Sequence, residues 1–175
     1  MPADSQVSNQ TEADFAGRRD ISVKIQKSFF SGGKETMSMH TVAVMGLGVR
    51  GKIHLHGLLE NPDYYKVVGL CDIDEPKMKA VAEEYHLDDV PLFTDAEEML
   101  KETRPEIFVF VTYPDLRLSV IQLAVKYGVK VISFEKPMAE SLQEAKKIVK
   151  LCHDNGIKAV VCHQQKYLSQ MQTLK

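Results

Sequence analysis

Six consecutive residues of this 175-residue chain, Gly46-Leu47-Gly48-Val49-Arg50-Gly51, follow the pattern G-x-G-x-x-G. Each glycine meets a separate demand of a phosphate-binding turn. The first permits the tight turn, the second lets backbone approach a pyrophosphate, and the third lets helix and strand pack closely. The motif directly follows the apolar run 41–45 and opens an amphipathic stretch at 50–59. A helix starting there would face the phosphates with bare N–H groups and a positive dipole end, and Arg50 adds charge. On the glycines alone, a tight turn without a ligand is the competing reading. Gly46, Gly48, Val49, Arg50 and Gly51 are the candidate binding residues.

Asp72 lies 21 residues past Gly51, directly after a second apolar run at 66–71. A carboxylate in that place accepts hydrogen bonds from an adenosine ribose and repels a 2′-phosphate. Ile73 follows, and no Arg or Lys occurs before Lys77. The sequence therefore favours NAD over NADP. A second role is open to these acids, because Asp72 or Asp74 could cap the following helix. A methyltransferase loop, G-x-G-x-G, would need a glycine where Arg50 stands, which argues against that class.

Phe134-Glu135-Lys136-Pro137 closes a later strand, beside the edge where ligands of open α/β sheets bind. A lysine held there could hydrogen-bond a substrate hydroxyl or a nicotinamide-side group, with Glu135 adjusting its charge. Pro137 would fix the chain direction. A solvated charged pair is the plainer alternative.

The elements that must position these residues follow from periodicity. Runs at 41–45, 66–71, 91–93, 107–111, 129–134 and 157–162 read as strands. Stretches at 50–59, 75–86, the segment after Thr94, 114–127 and a long one from Ser141 that ends at Asn155-Gly156 read as helices, with Thr94-x-x-Glu97 and Ser141-x-x-Glu144 as capping boxes. On the fourth helix Leu116, Val120, Leu123, Ala124 and Tyr127 mark the expected buried face, and Gly128 stops it. Strands alternating with helices imply right-handed crossovers. The expected fold is α/β, a doubly wound parallel sheet of six strands with helices on both faces.

Taken together, the glycine loop with His54 three residues later, Asp72, Thr112 at the end of strand four and Glu135-Lys136-Pro137 resemble the glucose–fructose oxidoreductase / inositol dehydrogenase (Gfo/Idh/MocA) family. The resemblance runs from Thr41 to about Lys175 and implies a Rossmann fold. It implies that Gly46, Gly48, Arg50, Gly51 and Asp72 bind NAD, and that Thr112 and Glu135 lie near its nicotinamide half. Lys136 would be the catalytic-site lysine, and Gln164 would line the cleft. The implied activity is NAD-dependent hydride transfer to or from a hydroxyl-bearing carbon of a sugar, polyol or related small molecule. Three departures accompany it. Thr112-Tyr113-Pro114-Asp115-Leu116-Arg117 places Arg117 where the family pattern has a His, the stretch 128–135 is one residue longer, and family members continue for about another domain's length. A non-catalytic NAD-binding or interaction module is the alternative to an enzyme.

Composition bounds the remaining classes. Net charge is −2, from 22 basic and 24 acidic residues, so no global field recruits nucleic acid. Apolar runs reach only about five residues, too short to span a bilayer. Cys71, Cys152 and Cys162 are odd in number without a C-x-x-C pair, which suits a reducing cytoplasm and buried, unpaired thiols. His54 and His56 fall on different helix faces, so no metal site is expected. Residues 1–38 read as a disordered extension, 39–163 as the dinucleotide-binding domain, and 164–175 as the start of a truncated substrate domain. The expected partner is a small-molecule substrate, with a homo-oligomer left open.

Overall fold

The computed structural model describes residues 38–163. Six strands, β1 (His40–Met45), β2 (Tyr65–Cys71), β3 (Leu92–Phe93), β4 (Ile107–Phe110), β5 (Val131–Glu135) and β6 (Lys158–Cys162), form one sheet in the order β3-β2-β1-β4-β5-β6. Every neighbouring pair is parallel. Between the strands run α1 (Val49–Leu59), α2 (Glu75–Glu84), α3 (Ala96–Thr103), α4 (Arg117–Lys126) and α5 (Leu142–Asp154), with a short 3₁₀ turn at Pro114–Leu116 leading into α4. The expected doubly wound sheet is the observed one.

Alternation along the central strands builds two cores, because successive side chains point to opposite faces. Val42, Val44 and Val109 join Leu55 of α1 and Met78 and Val81 of α2. Ala43, Phe108, Phe110, Ile132 and Phe134 join Met99 and Leu100 of α3, Val120, Ile121 and Ala124 of α4, and Ile148 of α5. Both faces of β1 and β4 are thus covered, which is why these strands read as nearly unbroken apolar runs. The sheet order reverses between β1 and β4. In open α/β sheets ligands bind outside the carboxyl ends of the strands at such a switch point, here where the Val111 N–H donates to Met45 O at 2.8 Å.

Two local expectations are corrected. The cap of α3 is Asp95, whose Oδ1 accepts the Glu98 N–H at 2.8 Å, and not Thr94 with Glu97. Both residues can cap, and the last extended residue after β3 takes the role. The buried face of α4 holds at Val120, Leu123, Ala124 and Tyr127 but does not begin at Leu116. Leu116 is 46% exposed, whereas Arg117 is 2% exposed and shares the buried face with Val120, Ile121 and Ala124. Leu116 belongs to the 3₁₀ turn ahead of α4, and apolar periodicity does not register such a turn. The α5 cap stands as expected, with Ser141 Oγ accepting from Glu144 N–H at 3.1 Å.

Candidate functional site

The glycine loop leaves β1 and enters α1, as its spacing requires. Gly46 has φ +83°, and a Cβ there would lie 2.2 Å from the Val111 carbonyl oxygen at the end of β4. A Cβ on Gly51 would lie 1.7 Å from the Gly46 carbonyl oxygen. These two glycines are therefore demanded by the fold itself. Gly48 differs, because a Cβ on it would meet nothing within 4 Å. It is the N-cap of α1, contributes no side-chain cap, and is followed by a first turn without acidic residues. The open space above Gly48 and the uncapped helix start suit a bound anion. Val49 and Arg50 are exposed beside it.

Asp72 follows β2 and is 7% exposed. Its Oδ2 accepts the Leu47 N–H at 2.7 Å, and its Oδ1 accepts the Asp74 N–H at 3.0 Å. Burial alone would raise its pKa. The hydrogen bonds from Leu47, Lys77 and Asp74 outweigh that penalty and hold the carboxyl below its ordinary range. The cap of α2 is Asp74, which accepts the Lys77 N–H, so Asp72 is not consumed as a cap. Sequence distance had set Lys77 apart from Asp72. The first turn of α2 returns it, and Lys77 Nζ lies 2.9 Å from Asp72 Oδ1.

Thr112, Glu135 and Lys136 come to the same sheet edge from β4 and β5. Glu135 is 6% exposed, and His54 Nε2 of α1 donates to its Oε1 at 2.9 Å. Lys136 is exposed, and its peptide bond to Pro137 is cis. The Thr112 Oγ1 is buried and, among the described residues, has no hydrogen-bond partner. Gln164 lies outside the described residues. Sequence reasoning left His54 with a structural reading and read Arg117 only as a departure from a pattern. A histidine one turn into a helix that opens at a crevice was the available signal for the first. Nothing in periodicity announces a buried arginine.

A parallel doubly wound sheet carrying a glycine loop after β1 and a buried carboxylate after β2 defines a dinucleotide-binding domain. The chain belongs to the oxidoreductase family with an NAD-binding Rossmann fold (GFO_IDH_MocA), whose model matches residues 40–163. It is similar to an uncharacterized protein of Saccharomyces cerevisiae, YMR315W, at 26% identity over 133 residues, covering 75% of this chain and 38% of that protein. Its fold is similar to the WlbA dehydrogenase of Bordetella pertussis in complex with NADH and UDP-GlcNAcA. That likeness has a TM-score of 0.71 at 22% identity and covers 79% of this chain and 41% of that one. Scyllo-inositol dehydrogenase of Lactobacillus casei, with bound NAD(H) and scyllo-inositol, gives a TM-score of 0.70 at 15% identity, covering 78% and 40%. The chain thus spans about two fifths of the length of these proteins.

Proposed function

We propose that this chain is the cofactor-binding part of an NAD-dependent oxidoreductase acting on a hydroxyl-bearing carbon of a sugar, polyol or related small molecule. The open space above Gly48, set between two glycines the fold cannot replace, is the observation that carries the reading. The bound dinucleotide supplies a hydride donor or acceptor at its nicotinamide. Gly48, Val49, Arg50 and the first turn of α1 hold its pyrophosphate with N–H groups and positive potential. Asp72 accepts from the adenosine ribose hydroxyls. Thr112 and Glu135 border the nicotinamide half. Lys136, exposed at the end of β5, holds or moves the proton of the substrate hydroxyl.

Solved proteins of similar fold, bound to NADH with a nucleotide sugar or to NAD(H) with an inositol, support this choice of substrate class. Gln164, two positions past Cys162 in the sequence, is assigned to the cleft lining by resemblance. The three free cysteines suit a reducing cytosol. The test is fluorescence titration of the protein with NADH, followed by an assay for oxidation of polyols and sugars. Saturable NADH binding that disappears in Asp72→Ala is the expected result. A protein that binds no dinucleotide would overturn the reading.

A further inference from the structure

Arg117 is the largest fully buried side chain among the described residues. It opens α4 at a helix position where an apolar side chain would pack at lower cost. Its guanidinium Nη2 donates to two main-chain carbonyls, Thr112 O after β4 and Lys136 O after β5, each at 3.4 Å. Its cation lies 5.7 Å from the Phe134 ring centroid. Burial lowers its pKa, and the nearby Glu135 charge opposes that shift. Nε and Nη1 are buried and have no hydrogen-bond partner among the described residues, and the same holds for Thr112 Oγ1.

A buried guanidinium with two bare N–H sites is a poor way to stabilise a helix end, because its desolvation is only partly compensated. What this arginine does that an apolar residue cannot is tie two strand-end backbones together. Both tied residues belong to the nicotinamide side of the crevice. On the other side, His54 holds Glu135, so the backbone at Lys136 is fixed from α4 and from α1.

We propose that Arg117 is a positioning residue for the nicotinamide side of the cleft, setting the distance between Thr112 and Lys136 through their main-chain carbonyls. The proposal rests on the dinucleotide reading above. It places Arg117 in no contact with the adenosine half, which is held by the glycine loop and Asp72. A tie of this kind contributes to binding of the nicotinamide moiety alone.

The test compares NADH with ADP-ribose, which lacks nicotinamide, by calorimetric titration of wild type, Arg117→Met and Arg117→Lys. The wild type should bind NADH more tightly than ADP-ribose. Arg117→Met, which loses both carbonyl contacts and frees Thr112 and Lys136 to shift, should weaken NADH by roughly tenfold and leave ADP-ribose within about twofold. Arg117→Lys, which keeps the charge but not the fork, should fall between them. An unchanged NADH to ADP-ribose affinity ratio in the variants would overturn the proposal, as would equal wild-type affinities for the two ligands. Should Arg117→Met fail to fold, the ratio in Arg117→Lys decides in the same way. A wild type that binds neither ligand overturns the dinucleotide reading, and the positioning role with it. Wild-type binding of ADP-ribose with an unmoved ratio overturns the positioning role alone.

Discussion

The Leu47 N–H donates to Asp72 Oδ2 at 2.7 Å, so the acid that follows β2 holds the glycine loop that follows β1. One carboxylate therefore holds the loop in the fold and, in the proposed function, also accepts from a ribose. Replacing it by Asn removes the charge from beneath Leu47 and Lys77 at nearly constant volume. We expect Asp72→Asn to cost about 1–3 kcal/mol at pH 7, read from urea unfolding. The pKa of Asp72 is depressed on folding. Its contribution is therefore complete above the unfolded value of about 3.9 and is lost as pH falls through the lower folded value. The unfolding curves of wild type and variant should converge in acid. A difference that persists undiminished below pH 2 would refute the assignment.

Lys77 bears on the choice between NAD and NADP. Its ammonium lies on Asp72 Oδ1 at 2.9 Å, where it offsets the carboxylate charge that would repel a 2′-phosphate. Removing it in Lys77→Met should weaken NADPH binding by roughly tenfold or more relative to NADH, the scale of one charged hydrogen bond. Parallel titrations with the two cofactors measure this ratio directly. No change in the ratio would show that Lys77 serves the fold and not the cofactor.

The three glycines of the loop should fail in different ways. A Cβ on Gly51 would fall 1.7 Å from the Gly46 carbonyl oxygen, so Gly51→Ala should lower the melting temperature by several degrees or prevent folding. Gly48 has ordinary negative φ and open space around a new Cβ. Gly48→Ala should therefore melt within about 0.5 kcal/mol of wild type. It should lose dinucleotide affinity nonetheless, since on the proposed function the methyl occupies the approach to the pyrophosphate. Thermal melts and NADH titration of both variants separate stability from binding.

His54 and Glu135 connect the helix after the glycine loop to the end of β5 across 2.9 Å. With the Glu135 side chain only 8% exposed, His54→Leu takes a donor from a buried carboxylate and should cost about 1–3 kcal/mol. His54→Gln, which keeps a donor of similar reach, should recover part of that loss. Denaturant melts of wild type and the two variants provide the comparison, and a His54→Leu protein as stable as wild type would show that the pair carries no weight.

The order of elements was legible in the sequence because each local signal agreed with the fold. Strands β1 and β4 are apolar on both faces, glycines stand at helix stops, and Gly46 and Gly51 occupy positions no other residue fits. The cap of α3 and the place of Leu116 ahead of α4 differ from the sequence reading. Thr94 and Asp95 are adjacent and chemically similar, and the 3₁₀ turn at 114–116 leaves no mark in apolar spacing. Lys77 was set aside on its distance along the chain, a measure that a single helical turn makes irrelevant.

By itself, then, the sequence determined the alternation of strands and helices, the phosphate turn and the acid after β2, since each is encoded within a few neighbouring residues. The tertiary structure decided the pairings. His54 meets Glu135 across 81 positions, and Arg117 meets the carbonyl of Lys136 across 19. Such contacts depend on strand order and helix phase, which are set by packing two cores against one sheet and not by any local pattern.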